Sequence, residues 1–279
     1  MKLSKIIASL LVVATVLFAF AACKGGDTPV DTTKAADVKT EAPAADTTAG
    51  QAEVDTKTKS EGVLTYEQYI ATENGKDVVI EGFLQAKYEY SEAYKNTSLY
   101  LADGDGAYFV YRYATTPEDY AKLEVGAKLR ITGTKDQWSG ETEVKDVTKL
   151  EVVGTDKWIA DPVDVTATIG SDAVAADNNK AVVIKGAVVA ASKIKDDAKE
   201  YAFLYKHDGS GAQGDDIYFN VTVGGKDYTF VVESDFFGKD SEIYKAVEAL
   251  KIGDKIDIGG FLYWYNAPQV QVTSVAASK

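Results

Sequence analysis

Two stretches of the chain share one pattern: LEVGAKLRITG at residues 123–133 and LKIGDKIDIGG at residues 250–260. Each begins with residues typical of the end of a helix and stops at a glycine. Each then continues as a strand in which apolar and polar residues alternate until a further glycine. Because the same element occurs twice, the sequence predicts two copies of one structural unit built mainly from β-strands.

The first copy belongs to a longer pattern, which we assign to a domain at residues 63–154. Three strands are predicted at residues 77–86, 98–102 and 107–113, and the last two are joined by DGDG, a strong hairpin signal. A short helix starting at Pro117 and two further strands follow. Three strands, a helix and two strands is the order of the OB-fold, a small five-stranded Greek-key barrel.

The pattern restarts in residues 155–279, the second predicted domain. VVIKG at residues 182–186 repeats VVIEG at 78–82, residues 201–206 are predicted as the second strand, and a helix is predicted over 241–250. Residues 217–233 form a hairpin without a counterpart in the first copy. The prediction is two tandem OB-like five-stranded Greek-key barrels, each with a short helix between strands three and four, the second enlarged by this additional hairpin. Another β-barrel or a β-sandwich is the alternative.

A family resemblance supports the same fold. YLADGDGAYFVY at residues 100–111, followed by Val125-Gly126 and Ile131-Thr132-Gly133, resembles the OB-type domains of secreted bacterial lipoproteins. Members often carry a strand, an Asp-Gly-x-Gly turn, an aromatic strand and then a strand bounded by glycines. The resemblance covers most of residues 64–153, and it implies a fold more than a function.

The N-terminal segment has the three parts of a secretory signal. Lys2 and Lys5 precede an apolar run over residues 6–20, and two alanines precede Cys23, the only cysteine. We therefore assign residues 1–22 to a signal peptide. The alanines and Cys23 resemble the lipobox of bacterial lipoproteins, which implies cleavage before Cys23 and a diacylglycerol on its sulfur. The expected location is extracytoplasmic, lipid-anchored to the bacterial cell membrane; a plain signal peptide with an unmodified cysteine is the alternative.

Residues 23–62 are rich in Thr, Ala, Asp, Lys and Glu and have no periodic apolar face. Because such a segment cannot bury a core, we predict a disordered tether behind the lipid anchor. The formal net charge of the chain is −13, from 30 basic and 43 acidic residues. Loss of Lys2 and Lys5 with the signal peptide would bring it to about −15, which repels polyphosphates and disfavours non-specific nucleic-acid binding.

The sequence contains no phosphate-binding loop, no metalloprotease helix and no nucleophile elbow, and His207 is the only histidine. A serine or cysteine nucleophile usually needs a histidine base, and zinc sites usually need several histidine or cysteine ligands. We therefore expect no enzymatic activity and no cofactor. Aspartates in two turns are weak calcium candidates, although Asp-Gly turns are common without a metal; they are Asp103, Asp105, Asp208, Asp215 and Asp216.

Aromatic residues give the strongest indication of a ligand site. OB-folds bind ligands on the outer face of strands two and three, framed by the loops after strands one and four. In the first barrel this rule selects six candidates, and alternation along the strands is expected to point Tyr100, Tyr108 and Arg112 outward. The matching loop of the second barrel adds three more. The candidates are Tyr88, Tyr90, Tyr100, Tyr108, Arg112 and Trp138, with Tyr263, Trp264 and Tyr265. For each, the alternative is that the ring packs over the strands or covers a barrel end.

These observations predict a lipid-anchored, non-enzymatic binding module whose ligand is a carbohydrate or a protein surface. A protein that binds single-stranded nucleic acid is a second reading, which the fold allows and the acidic charge disfavours. A structural or assembly subunit of the cell envelope is a third. The sequence leaves the ligand, the envelope type and the oligomeric state open.

Overall fold

The computed structural model describes residues 54–279. The predicted signal peptide, Cys23 and most of the predicted tether lie outside the described residues. No helix in the described range is long and apolar enough to cross a membrane.

The first barrel contains five strands and two short helices. They are α1 (Tyr66–Ala71), β1 (Asp77–Lys87), β2 (Asn96–Ala102), β3 (Ala107–Ala114), α2 (Pro117–Ala121), β4 (Ala127–Trp138) and β5 (Glu141–Lys157). The strands close in the order β1-β2-β3-β5-β4, with β3 and β5 parallel. This is the OB-like connectivity expected from the sequence, with α2 between strands three and four.

The repeated strand shows why the barrel closes around an apolar core. In β4, Ala127, Leu129 and Ile131 are buried, whereas Lys128 and Arg130 between them are half-buried. The buried side chains pack against apolar residues of the other strands and of α1. Because alternate residues of a strand point to opposite faces, the alternation read in the sequence directly gives the core face of β4.

The second barrel contains nine strands, one 3-10 helix and one α-helix. They are β6 (Val163–Asp164), the 3-10 helix Asp172–Asp177, β7 (Ala181–Ala190), β8 (Ser192–Lys193), β9 (Glu200–Tyr201), β10 (Leu204–Tyr205), β11 (Ile217–Val223), β12 (Lys226–Val232), α3 (Glu242–Glu248), β13 (Lys255–Trp264) and β14 (Pro268–Ala277). Pairing of β7 with β11 closes a five-stranded ring, β7-β11-β12-β14-β13, in which β12 and β14 run parallel. The ring repeats the topology of the first barrel, with α3 between its third and fourth strands.

The strand assignment within the second barrel differs from the sequence-based one. The hairpin of β11 and β12, expected to be additional, supplies strands two and three, because β11 alternates strictly between buried and half-buried residues along its length. Residues 201–206, expected as strand two, pair only at Tyr201, the last residue of β9, and over the two residues of β10. The additional hairpin is instead β8–β9, which lies in a long insertion between strands one and two.

Residues 54–62, which the sequence assigns to the tether, lie against the first barrel. Lys59 donates from Nζ to Asp103 Oδ2 at 2.5 Å and to the Glu81 carbonyl oxygen at 2.7 Å, and both side chains of the Lys59–Asp103 pair are almost fully buried. The Gly104 amide donates to the Thr56 carbonyl oxygen at 3.0 Å. These contacts are made by charges and backbone groups rather than by an apolar face, so the hydrophobic pattern of the sequence does not reveal them.

Candidate ligand site between the two barrels

An aromatic cluster joins the two barrels. Its members are Tyr88, Tyr100 and Phe109 of the first barrel with Phe236, Phe261 and Tyr263 of the second. The Tyr100 ring stacks on Phe261 with 4.2 Å between centroids, and Tyr88 stacks on Phe236 at 4.5 Å. Both phenols donate to Oε1 of the buried Gln271 on β14, the Tyr88 hydroxyl at 2.5 Å. The outer face of strands two and three of the first barrel is therefore covered by the second barrel.

This cluster changes the interpretation of the tyrosines predicted to contact ligand. Tyr100 points out of its own barrel, as its position in the strand predicts, but the second barrel buries it completely, as it nearly does Tyr88. The prediction that Tyr108 points outward is wrong: it lies in the first core and donates to Asp103 Oδ2 at 2.6 Å. Both faces of β3 are buried at this point, so alternation of residue types gives no direction there.

Three further candidates lie around this interface in different surroundings. Tyr90 is half-buried, with its ring 5.8 Å from that of Tyr120. The exposed Arg112 places its guanidinium 5.0 Å from the centroid of Tyr111. Trp264 is half-buried, and its backbone amide donates to Glu141 Oε2 across the interface at 2.9 Å.

The turns that follow strand four of each barrel meet each other. The Asn266 amide donates to the Ser139 carbonyl oxygen at 2.7 Å, and Gly140 forms a β-bridge with Tyr265. Gly140 has φ +99°, and a Cβ atom there would lie 2.3 Å from Cδ1 of Trp264. Only glycine therefore permits this approach. The two loops that supply ligand-site candidates from separate barrels therefore lie together.

The rings beside these turns line a cavity of about 610 Å³ between the barrels. Trp138 and Tyr265 stand at its edge, with ring centroids 5.2 Å apart and about half of each residue exposed. Tyr218 of β11 and Asp227 and Thr229 of β12 also line it, so it lies over the outer face of strands two and three of the second barrel. His207, in the loop between strands one and two, lines it as well.

A smaller hollow of about 220 Å³ adjoins this cavity, since Trp138, Glu233 and Tyr263 line both. Arg112 and Tyr88 line only the smaller one. Of the nine predicted ligand residues, the structure thus brings Trp138, Tyr263 and Tyr265 to the main cavity and places Arg112 and Tyr88 beside it.

Three residues of this lining are not among the candidates predicted from the sequence: Tyr218, Glu233 and His207. Tyr218 and Glu233 lie in the hairpin of residues 217–233, which was interpreted as an addition rather than as strands two and three. The strict alternation of residues 217–223 before the Gly224-Gly225 turn is the signal that identifies strand two.

Carboxyl groups dominate the electrostatics of the cavity. Burial, together with the nearby Asp216 and Asp235, raises the pKa of Glu233 to about 8, and Gln271 opposes the shift through a hydrogen bond. Asp227, the other acidic residue in the lining, accepts from Thr222 Oγ1 at 2.5 Å. No lysine or arginine is among the described residues that line the main cavity.

Two more buried carboxyl groups lie at the junction of the barrels, on β5. Burial raises the pKa of Glu141 to about 8, although Asn179, the Trp264 amide and Asn178 oppose the shift by hydrogen bonding. Burial and the neighbouring Asp136 raise the pKa of Glu143 to about 7. These groups gain protons more readily in the folded chain than in water.

The five calcium candidates do not converge. Asp103 accepts from the Asp105 and Gly106 amides at 2.7 Å, as an aspartate does when it holds a turn. Asp105 pairs with Lys57, and Asp216 accepts from Ser234. Asp208 and Asp215 accept from backbone amides within their own loop. Within residues 54–279, no three His, Cys, Asp or Glu side chains are grouped as a metal site requires.

Comparison of the sequence with protein families and with curated proteins gives no match. Solved structures of similar fold include the Entamoeba histolytica asparaginyl-tRNA synthetase, 22% identical over 30% of this chain, with a TM-score of 0.27. The chain spans 22% of the length of that synthetase. A murine DNA-binding protein bound to double-stranded DNA is 11% identical over 72% of this chain and 99% of its own, with a TM-score of 0.34. The Ifi202 HINa domain in complex with double-stranded DNA is 12% identical over 74% of this chain and 97% of its own, with a TM-score of 0.32. These likenesses concern the fold alone.

Proposed function

We propose that the protein is a non-enzymatic, extracytoplasmic binding protein whose ligand occupies the cavity between the two barrels. The observation that carries the proposal is the composition of this cavity: Trp138 of the first barrel and four tyrosines of the second line about 610 Å³ of space over strands two and three of the second barrel. Ligand sites typically combine a concave, mainly aromatic surface of this size with a few polar groups. The first barrel contributes Trp138 to this lining, and the aromatic cluster joins that barrel to the second.

The lining favours a small organic ligand or a short segment of carbohydrate. Trp138 and Tyr265 offer uncovered ring faces, on which an apolar face of a sugar packs well. Glu233 and Asp227 add hydrogen-bond acceptors. A polyphosphate backbone is poorly suited to the same cavity, because the described lining residues include acidic side chains and no basic ones.

The serine and threonine hydroxyl groups in the lining of the main cavity also fit binding better than nucleophilic catalysis. Thr229 is the only serine or threonine among the residues that line the main cavity, and its hydroxyl donates to Asn220 Oδ1 at 2.7 Å. His207, in the same lining, packs its ring edge-on against Tyr218 at 6.2 Å. A nucleophile and its base need a direct hydrogen bond, and Thr229 and His207 do not share one.

Membrane anchoring through Cys23 is the second part of the proposal, and the sequence alone supports it, since Cys23 lies outside the described residues. A Cys23→Ala chain expressed in a bacterium is expected to leave the membrane fraction, while the unaltered chain stays there and carries acyl mass on its N-terminal cysteine. An unaltered chain without acyl mass would contradict the proposed lipid anchor, but it would not bear on the proposed ligand cavity.

The experiment for the cavity is a calorimetric and array screen of oligosaccharides and small metabolites, with Trp138→Ala as the test variant. For any ligand found, we expect Trp138→Ala to weaken binding about tenfold or more, because the ring forms one wall of the site. Val152→Ala is the matched control, because Val152 is as exposed as Trp138 but lies elsewhere on the first barrel. Equal affinity of both variants for a confirmed ligand would place the site elsewhere.

A further inference from the structure

We infer that the cavity between the barrels selects an organic cation, with the ammonium group held between the aromatic rings and the Glu233 carboxylate. This inference rests on the proposed function and names the chemical class of its ligand. It is carried by the arrangement of rings, carboxyl groups and missing positive charges in one cavity.

The rings supply the first half of a cation site. Trp138 and Tyr265 lie side by side at the edge, Tyr218 forms the floor over β11, and Tyr263 lines the wall shared with the smaller hollow. The negative face of an aromatic ring attracts an ammonium group, and tryptophan and tyrosine do so most strongly. Several such rings around one space are typical of sites for quaternary or methylated amines.

Glu233 supplies the second half. Glu233 directly follows β12, is half-buried and lines the cavity. Among the described residues, the only side chain that hydrogen-bonds its carboxyl group is Gln271, whose amide donates to Oε1 at 3.5 Å. The charged groups that influence it most are Asp216 and Asp235, both acidic. Arg112 lines the smaller hollow that Glu233 also lines. Among the described residues Glu233 has no ion-pair partner, in contrast to the buried Glu81, which is paired with Arg130. An ammonium ion in the cavity would provide the missing positive charge.

A neutral sugar could pack on the rings and donate hydrogen bonds to this carboxylate, but it would not balance the negative charge, and an anion would oppose it. The pKa of Glu233, raised to about 8, shows the cost of holding an unpaired negative charge at this position. Binding of a cation reverses that cost, because the ion pair favours the charged carboxylate. Cation binding below pH 8 must therefore release the proton of Glu233, which couples affinity to pH.

Other titratable groups near Glu233 affect how the measured affinity depends on pH. Asp216 lies ahead of β11 and Asp235 follows Glu233 on its own segment. Three phenols also face Glu233: that of Tyr218 on β11, that of Tyr88 in the loop after β1, and that of Tyr263 on β13. Burial raises the pKa of each phenol above its ordinary range, and the Glu233 charge is a further cause. His207 lines the same cavity.

The test uses choline and its uncharged carbon isostere, in which a tert-butyl group replaces the trimethylammonium group. Calorimetry on the full chain at pH 8.5 is expected to give choline an affinity at least about tenfold above that of the isostere. The choline Kd should rise about tenfold for each pH unit below 8 and be flat above it. Glu233→Gln should abolish both the selectivity and the pH dependence, while the exposed control Glu242→Gln, which lies outside the cavity, should keep them.

The outcomes separate this inference from the proposed function. If the isostere or a neutral oligosaccharide binds as well as choline and Trp138→Ala weakens it, the cavity is a ligand site and the cation inference is overturned. If choline binds equally to the unaltered chain, Trp138→Ala and Glu233→Gln, both the inference and the site are overturned. Absence of choline binding at pH 8.5 up to tens of millimolar overturns the inference, and the oligosaccharide screen then decides the proposed function.

Discussion

Replacing Gln271 by leucine tests how the two barrels are held together. Gln271 lies in the aromatic interface, and its amide oxygen accepts hydrogen bonds from two phenols on the other barrel, those of Tyr88 and Tyr100. Leucine keeps most of the volume and removes the acceptor. Two buried donors are then left without partners, because the second barrel excludes water from Tyr100 completely and from Tyr88 nearly so.

The expected magnitude follows from these two donors. An unsatisfied buried polar group costs about 1–3 kcal/mol, so Gln271→Leu should lower the free energy of unfolding by about 2–6 kcal/mol. Tyr100→Phe should cost only about 1 kcal/mol, since Gln271 keeps its bond from Tyr88. In a Tyr88→Phe/Tyr100→Phe background, where no phenol needs an acceptor, Gln271→Leu should cost less than about 1.5 kcal/mol.

Urea unfolding followed by circular dichroism measures these differences, with the slope against urea checked for constancy. Gln269→Leu is the matched control, because this half-buried residue lies two positions away on β14 and makes a single 3.3 Å bond to the Thr229 carbonyl oxygen. A surface substitution usually changes the free energy of unfolding by no more than about 0.5 kcal/mol. A change that small for Gln271→Leu would refute the reasoning. An equal cost in the two backgrounds would do the same.

Two further predictions concern buried charges. Because burial raises the pKa of Glu141 and Glu233 from 4.5 to about 8 on folding, their contribution to stability is present below pH 4.5 and is lost as pH rises to 8. The free energy of unfolding should therefore fall between about pH 5 and 8, by at most about 1.4 kcal/mol per pH unit for each group. Glu141→Gln should remove the part of this pH dependence that Glu141 contributes. Lys59→Met should destabilise the chain by about 3–5 kcal/mol, because it leaves Asp103 buried without its partner. Lys57→Met removes only the exposed pair with Asp105 and should have a much smaller effect than Lys59→Met in the same urea assay. Equal effects of the two changes would contradict the buried role of Lys59.

The sequence predicts the fold class well because the barrel strands carry their own signal. The alternation in β4 identifies its core face, and the glycine before β4 identifies the end of the helical segment that precedes it. The same two features recur in and before β13. Two OB-like barrels with a helix between strands three and four are confirmed. The error in the second barrel comes from its long insertion of residues 191–216, which moves strand two away from the position that the first copy suggests.

The candidate site is predicted only in part, for a physical reason. Alternation shows that a residue such as Tyr100 points away from its barrel, but it does not show whether solvent or another domain lies beyond it. Trp138 and Tyr265 were selected from turns of different barrels, and nothing local in the sequence indicates that these turns meet. Glu233 could not be found from composition, because its importance arises from burial among other carboxyl groups in a chain with 43 acidic residues.

Fluorescence of chains with a single tryptophan tests the ligand cavity most directly. A Trp158→Phe/Trp264→Phe chain reports only Trp138 at the cavity, and a Trp138→Phe/Trp264→Phe chain reports only Trp158, which packs on Phe83 away from it. Titration with choline is expected to give a saturable change in the first chain and none in the second; neutral oligosaccharides and single-stranded DNA are titrated as comparison ligands. A ligand that binds by calorimetry while Trp138 stays silent, or that changes only Trp158, would contradict the assignment of the site to the space between the barrels.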